Sequence, residues 1–256
     1  MIEFDRACLT ITCESHAEDK SRWTEVLDLE SLEKRVDALE KKAKSNDKEA
    51  KETLGLVNRA LALLREGKPA RLMERKPEEE KLFHSLGLLT SAPVLYACNV
   101  EEASAATGNA FSRKVEVRAK EEGAMSVVIS AKIESEIAML PPDERADYLA
   151  AVGLNETGLD RLVQAGYALL HLVTYFTAGP KEARAWTITQ GTKAPQAAGV
   201  IHTDFEKGFI RAETISYDNY IANNGETGAK EAGKMRLEGK DYVVADGDVM
   251  HFRFAT

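Results

Sequence analysis

Two stretches of this 256-residue chain hold residue types able to read a nucleotide. In GAKEAGKM, Gly228 is followed by four residues and then by Gly233 and Lys234, which meets every position of the phosphate-loop pattern G-x-x-x-x-G-K-[ST] except the last. A phosphate loop leaves a buried strand, wraps backbone N–H groups around phosphates and offers magnesium a hydroxyl at a helix start. Here the segment follows polar ANNGETG, and Met235 stands where the hydroxyl is needed. A glycine-rich basic loop on a small module suits that context better. In YACNVEE, Asn99 closes a short apolar run, at the strand end where open α/β sheets hold ligands. SAK, Ser130 to Lys132, closes the next such run, so the two segments can meet over one ligand; the plainer alternative is that Asn and Ser form turns there.

Other chemistry-bearing residues have a bland reading beside the sharp one. His202 and Asp204 suggest an acid–base pair, against loop ordering or macromolecular contact. Lys207, Arg211, Lys230, Lys234, Arg236 and Lys240 beside Phe205 and Tyr220 suit phosphate backbones, against a solvated surface. Cys98 reads as a core thiol rather than a redox centre. No residue is assigned as catalytic and no metal-ligand set is assigned.

The elements that must position these residues follow from periodicity. Leu29, Leu32, Val36, Leu39 and Ala43 form one narrow apolar seam, which resumes after KSNDK with Ala50, Leu54, Val57, Leu61 and Leu64. So short a connection predicts an antiparallel helical hairpin, ended by Gly67 and Pro69. APVLYACNV and AMSVVISAK read as buried parallel strands, and GLDRLVQAGYALLHLV as an amphipathic helix on their sheet. After about Leu172, EARAWTI, GFIRAETI, KDYVVA and DVMHFRF read as strands around a shorter helix at APQAAGVI, a compact α+β module.

Composition narrows the class. The chain is 44% hydrophobic and 30% charged, an ordinary globular mixture, and its net charge of -8 leaves nucleic-acid contact to a local patch. Three cysteines without a C-x-x-C pair suit a reducing compartment. Neither a leader nor an apolar run of membrane-spanning length is present, so the expectation is a cytoplasmic protein with neither DNA nor membrane as partner.

From about Asp28 onward, LESLEKRV, KKAKSNDKEAK, YACNVEE, AGYALLHLVTYFTAGPKEARAWT, APQAAGVIHTDFEKGFIRAETIS and GAKEAGKMRLEGKDYVVADGDVM closely resemble the Obg-like ATPases of the YchF group. The resemblance implies an α/β fold: a partial P-loop GTPase-like domain with an inserted antiparallel α-helical, coiled-coil arm, followed by an α+β TGS domain of β-grasp shape. The expected boundaries are 1–24 unassigned, 25–68 for the arm, 69–170 for the nucleotide-binding part and 171–256 for the TGS domain. It also implies a base-reading N-x-x-E motif at Asn99, Val100, Glu101 and Glu102, with the Asn99 side chain and Val100 backbone on an adenine edge and Ser130 and Ala131 flanking it.

The implied ligand is ATP, or GTP, with magnesium in the full-length family, and the implied partner is the ribosome, met through a basic surface that includes Lys207, Arg211, Lys230, Lys234 and Arg236. In that family the phosphate loop precedes the arm. The stretch before it here, MIEFDRACLTITCESHAEDKSRW, does not resemble the family and carries no such loop, which suggests a truncated or frameshifted start. Little hydrolysis is therefore expected of this chain, and a non-catalytic ribosome- or RNA-binding adaptor stands as the alternative. With neighbouring strands missing, an exposed sheet edge and an uncovered apolar face would favour self-association.

Overall fold

The computed structural model describes residues 17–255, with side chains from Thr24 onward. Cys8, Cys13 and most of the stretch that does not resemble the family lie outside the described residues. The chain divides into two compact units, Met1–Leu169 and Leu170–Thr256.

The first unit begins with α1 (Ala17–Lys44) and α2 (Lys48–Arg65). Asn46 adopts a left-handed conformation with φ 66°, and Asp47 caps α2 by accepting a hydrogen bond from the Ala50 N–H at 3.1 Å. The chain therefore reverses within a few residues. An ion pair of 2.9 Å from Arg65, at the end of α2, to Glu33 on α1 fits the antiparallel pairing. Leu32, Leu56, Val57, Ala60, Leu61 and Leu64 are buried along the seam, and the cluster continues into Ala70, Met73, Phe83, Leu86 and Leu88. Phe83 lies on α3 (Glu80–Ser85), and the Arg75 guanidinium sits 4.2 Å over its ring. Each fully buried Leu or Phe here contributes roughly 1.5–3 kcal/mol of transfer free energy, so the hairpin's root rests on the segment that leads to the first strand.

That strand is β1 (Leu95–Asn99); α4 (Ala110–Glu121) carries the chain to β2 (Met125–Ile129), and the two strands pair in parallel from Leu95↔Met125 to Asn99↔Ile129. Three helices follow: α5 (Ala131–Met139), α6 (Arg145–Ala151) and α7 (Gly158–Leu169). Leu95, Ala97 and Val127 pack with Leu162, Ala165 and Leu169 of α7. Tyr96 alternates to the opposite face, where it bonds Glu122 at the end of α4. The expectation of an uncovered apolar face is thus corrected: helices occupy both faces. The outer edges of β1 and β2 are unpaired among the described residues.

The second unit contains β3 (Leu172–Ala178), β4 (Ala183–Thr189), α8 (Ala194–Ile201), α9 (Thr203–Lys207), β5 (Phe209–Ser216), α10 (Tyr217–Ala222), α11 (Glu226–Glu231), β6 (Arg236–Glu238) and β7 (Asp248–Phe254). The sheet order is β4-β3-β7-β5-β6, with β3 and β7 parallel and the other pairs antiparallel. Ala194, Ala197 and Ala198 are fully buried, and their small side chains let α8 approach the sheet closely enough for the Tyr175 hydroxyl to donate to the Ala197 carbonyl at 2.8 Å. No helix among the described residues is long and apolar enough to cross a membrane.

Four local expectations need correction. The helix ends at Leu169, and after His171, at φ 52°, the chain enters β3, so LHLV is not helical throughout. KDYVVA is not a strand: Val243 makes only a single bridge, to Lys193, because the Asp248 carboxylate gathers the segment by accepting from the Ala245 N–H (3.0 Å) and the Tyr242 hydroxyl (2.6 Å). GAKEAGKM is not a loop but the end of α11 and the turn after it. The short elements α9, α10, α11 and β6 were unforeseen.

Candidate functional site

Asn99 ends β1 with its side chain exposed, and Ala131 opens α5. The first N–H groups of a helix have no partner within it. Asn99 Oδ1 supplies one by accepting from the Ala131 N–H at 2.9 Å, which ties the two strand ends together. Asn99 Nδ2 has no protein partner among the described residues. Val100 is buried, and its N–H donates to the Ile129 carbonyl at 2.9 Å, leaving the Val100 carbonyl as its available group. Ser130 is 2% exposed, yet its hydroxyl has no hydrogen-bond partner. Buried polar groups of this kind are the exception in folded proteins.

The loop after Asn99 is braced. Glu101 accepts hydrogen bonds from the Ser104 hydroxyl and, at 3.1 Å, from Asn109 Nδ2. The Ser104 bond foremost, then the backbone and Asn109, hold the Glu101 carboxyl below its usual range. Glu102 opens a 3-10 turn and is exposed. The nearby Lys132 ammonium pairs with Glu136 at 2.6 Å, the bond that chiefly raises its pKa, with the Glu102 carboxylate a weaker contributor. Burial pushes the Cys98 thiol up, which disfavours a thiolate and a redox role.

Supporting residues were not legible in the sequence. Glu134 caps α7 by accepting from the N–H groups of Gly158 (2.7 Å) and Leu159 (3.3 Å). A Cβ at Gly158 would lie 2.9 Å from that carboxylate and 3.1 Å from Ile129, a tight fit in which both neighbours would have to give slightly. Arg161 reaches the Ala105 carbonyl at 3.4 Å, a weak brace on the loop after Glu102. The only sequence signal for Glu134 was its place one turn after Ser130.

Chemically, the strand end offers a donor at Asn99 Nδ2 beside an acceptor at the Val100 carbonyl, with a buried hydroxyl alongside. An adenine edge presents the complementary pair, an N6 amino donor next to a ring-nitrogen acceptor.

In the second unit the structure separates the other candidates. His202 caps α9: Nδ1 accepts from the Asp204 N–H at 3.2 Å and lies 3.5 Å from the Asp204 carboxylate. A lone pair spent on capping suits helix ordering rather than proton transfer between the pair. Arg236 is committed to Glu238 (3.2 Å), Asp248 (3.2 Å) and the Tyr242 hydroxyl (2.9 Å). Arg211 lies 3.7 Å from Glu213, whose carboxyl is held low chiefly by Arg253 at 2.9 Å. Lys207, Lys230, Lys234 and Lys240 are exposed. Beside Lys207, a groove of about 800 Å³ is lined by Ile201, His202, Phe205 and Phe254, the last two rings stacked at 3.9 Å.

GAKEAGKM ends a helix instead of starting one. The Gly233 N–H donates to Lys230 O (3.0 Å) and the Lys234 N–H to Ala229 O (2.8 Å), with Gly233 at φ 68°. The N–H groups of Gly233 and Lys234 are therefore used, and the helix presents the negative end of its dipole there, which repels phosphate. At Gly228 a Cβ would strike the Asn223 carbonyl, which explains that glycine by packing.

Comparisons with known proteins agree across most of the chain. Residues 172–255 match the family model YchF-GTPase_C, described as a protein of unknown function (DUF933). The chain is 50% identical over 229 residues to a "Ribosome-binding ATPase YchF" of Bacillus subtilis, covering 89% of this chain and 63% of that protein. It is 52% identical over 227 residues to the protein of that name in Haemophilus influenzae (89% and 62%) and 40% identical over 230 residues to "Obg-like ATPase 1" of Oryza sativa subsp. japonica (89% and 58%). It thus spans less than two thirds of the length of these relatives. Among solved structures, the Schizosaccharomyces pombe YchF GTPase superposes with a TM-score of 0.81 at 28% identity, over 97% of this chain and 72% of that one.

Proposed function

The chain belongs to the family of YchF and Obg-like ATPases, and from that premise we propose that it carries the base-reading half of a nucleotide site that takes ATP, with GTP the weaker ligand. The observation that carries this reading is the Asn99–Ala131 tie at 2.9 Å, which joins the adjacent ends of β1 and β2, where Asn99 Nδ2, the Val100 carbonyl and the orphaned Ser130 hydroxyl lie. A guanine edge needs a carboxylate accepting from N1–H and the exocyclic amine. Glu102 is the candidate for that position, but its exposed carboxylate has no partner fixing it there among the described residues.

In this reading residues 25–68 are the coiled-coil arm, 69–170 the nucleotide-binding part and 171–256 a β-grasp TGS domain. The base half fits a nucleotide; GAKEAGKM does not fit a magnesium–phosphate centre, because it is a helix end with Met235 at the hydroxyl position. These 256 residues are therefore expected to turn over little ATP. A phosphate-release assay tests this, and turnover above that of a heat-inactivated sample would overturn it.

The names of these relatives support ribosome association and, with it, a cytoplasmic place. Of the six candidate cations, Lys207, Lys230, Lys234 and Lys240 remain available to an RNA backbone, since Arg236 and Arg211 lie against acidic partners. That observation also favours a second reading, a ribosome- or RNA-binding adaptor without nucleotide turnover. Charge reversal of Lys207, Lys230 and Lys234 together should weaken ribosome sedimentation and flatten its salt dependence; unchanged sedimentation would remove the TGS domain from the interface. The unpaired edges of β1 and β2 are where a second copy would add, and concentration-independent monomeric sedimentation would exclude that association.

A further inference from the structure

We propose that Asp28 and Glu122 are positioning residues for the base-reading strand, and that through them the root of the helical arm and the Asn99 end of β1 are coupled. The proposal rests on the base-site reading above. Glu122 is 7% exposed and follows the last turn of α4, where the helix dipole disfavours an anion. It is held there by the Tyr96 hydroxyl of β1 at 2.7 Å, by Arg71 Nη2 at 3.1 Å and by Arg118 of α4. Arg71 Nε also donates to the Glu122 carbonyl at 2.7 Å. Buried ion pairs rarely add stability over apolar packing of the same volume. Fixing one arrangement of strand, helix and arm root is the role that this geometry serves.

Asp28, on α1 of the arm, is 3% exposed and forms the other end of the path. Its carboxylate accepts from the Leu89 N–H (2.9 Å), the Thr90 N–H (2.8 Å) and the Thr90 hydroxyl (2.7 Å). The Thr90 hydroxyl in turn accepts from the Ala70 N–H at 3.1 Å. Ala70 is bonded covalently to Arg71, so the path runs α1, Asp28, Thr90, Ala70, Arg71, Glu122, Tyr96 and β1, with Asn99 three residues beyond Tyr96. The start of β1 is held through Thr90 and its face through Tyr96, both from the arm's root. Displacement of that root by a partner would then bias the base site, and base binding would bias the root to the same extent.

The test is amide hydrogen exchange at Val100 and Ala131 in the full chain, with α6 amides such as Leu149, which lie off the path, as the internal control. Asp28→Asn and Tyr96→Phe should each speed exchange at Val100 about five- to thirty-fold relative to Leu149, the effect of one or two kcal/mol of local destabilisation. Thr90→Val should do the same and Thr90→Ser should not. The Asp28→Asn/Tyr96→Phe double variant should show less than the product of the two single effects. Equal acceleration at Val100 and Leu149, an unaltered Val100 in Asp28→Asn, or multiplicative effects in the double variant would overturn the proposal. Adenosine titration of the same samples separates the premises: absence of binding to the wild-type chain sinks the base-site reading, while the exchange cycle still decides the coupling.

Discussion

Replacing Asn99 by Asp separates its two roles, because the two side chains differ by one donor. The Asn99 Oδ1 bond to the Ala131 N–H spans 2.9 Å at an exposed position, so it contributes at the low end of the roughly 0.5–1.5 kcal/mol of a protein hydrogen bond. Asn99→Asp keeps that acceptor and sets a negative charge at the start of α5, favourable by about 0.3–1 kcal/mol. Folding stability should therefore be unchanged or slightly raised. At the base edge the same change removes the Nδ2 donor and turns a carboxylate oxygen toward a ring-nitrogen lone pair. Leaving that pair unmatched costs about 1–3 kcal/mol, which is about a 5- to 150-fold weaker affinity for adenosine. Asn99→Ala loses donor and tie together, so it should weaken binding similarly and also lower stability by about 0.5–1 kcal/mol. Calorimetric titration with adenosine, beside denaturant unfolding of the three chains, reads both quantities. Wild-type affinity in Asn99→Asp, or destabilisation of it equal to that of Asn99→Ala, would refute the reasoning.

Met235→Ser completes the phosphate-loop pattern in letters, yet pyrophosphate binding measured by calorimetry should not appear, because the segment closes a helix. Gly228→Ala should destabilise the second unit by about 1–3 kcal/mol in thermal unfolding, the scale of a forced backbone shift, since its Cβ would meet the Asn223 carbonyl. Leu32→Ala, at a fully buried position of the hairpin's seam, should cost about 2–5 kcal/mol in denaturant unfolding of the first unit. Burial, aided by Glu122 and Asp248 respectively, pushes the Tyr96 and Tyr242 hydroxyls up to about 12. A raised folded pKa leaves stability intact below the unfolded value near 10 and removes it as pH climbs toward 12. Ultraviolet titration should thus show both phenols still protonated at about pH 11 in the folded chain, and Tyr96→Phe should remove one of them.

The seam of the helical hairpin, both parallel strands and α7 were legible because their apolar residues recur at clean helical or strand periods between polar breaks. β3 was hidden because YALLHLVTYFTA stays apolar from helix into strand, and the break falls at His171 rather than at a glycine or proline. KDYVVA looked like a strand from its β-branched residues, but side-chain bonds from one distant carboxylate, Asp248, decide its path. Position at a strand end pointed to Asn99 and Ser130 correctly as neighbours of one place in the fold. The sequence could not show that Asn99 is spent on Ala131 through Oδ1, that Val100 N–H is already used, or that Glu122, Asp28 and Glu134 bond Tyr96, Thr90 and the start of α7. Those facts depend on contacts between residues far apart in the chain.

The central claim is that the ends of β1 and β2 read a nucleotide base and prefer adenine. Titrating the isotope-labelled chain with adenosine and with guanosine, and following its amide resonances, tests this most directly. The predicted result is shifts concentrated at Asn99, Val100, Ser130 and Ala131, saturating at lower adenosine than guanosine concentration. Silence at those four amides, or tighter binding of guanosine, would contradict it.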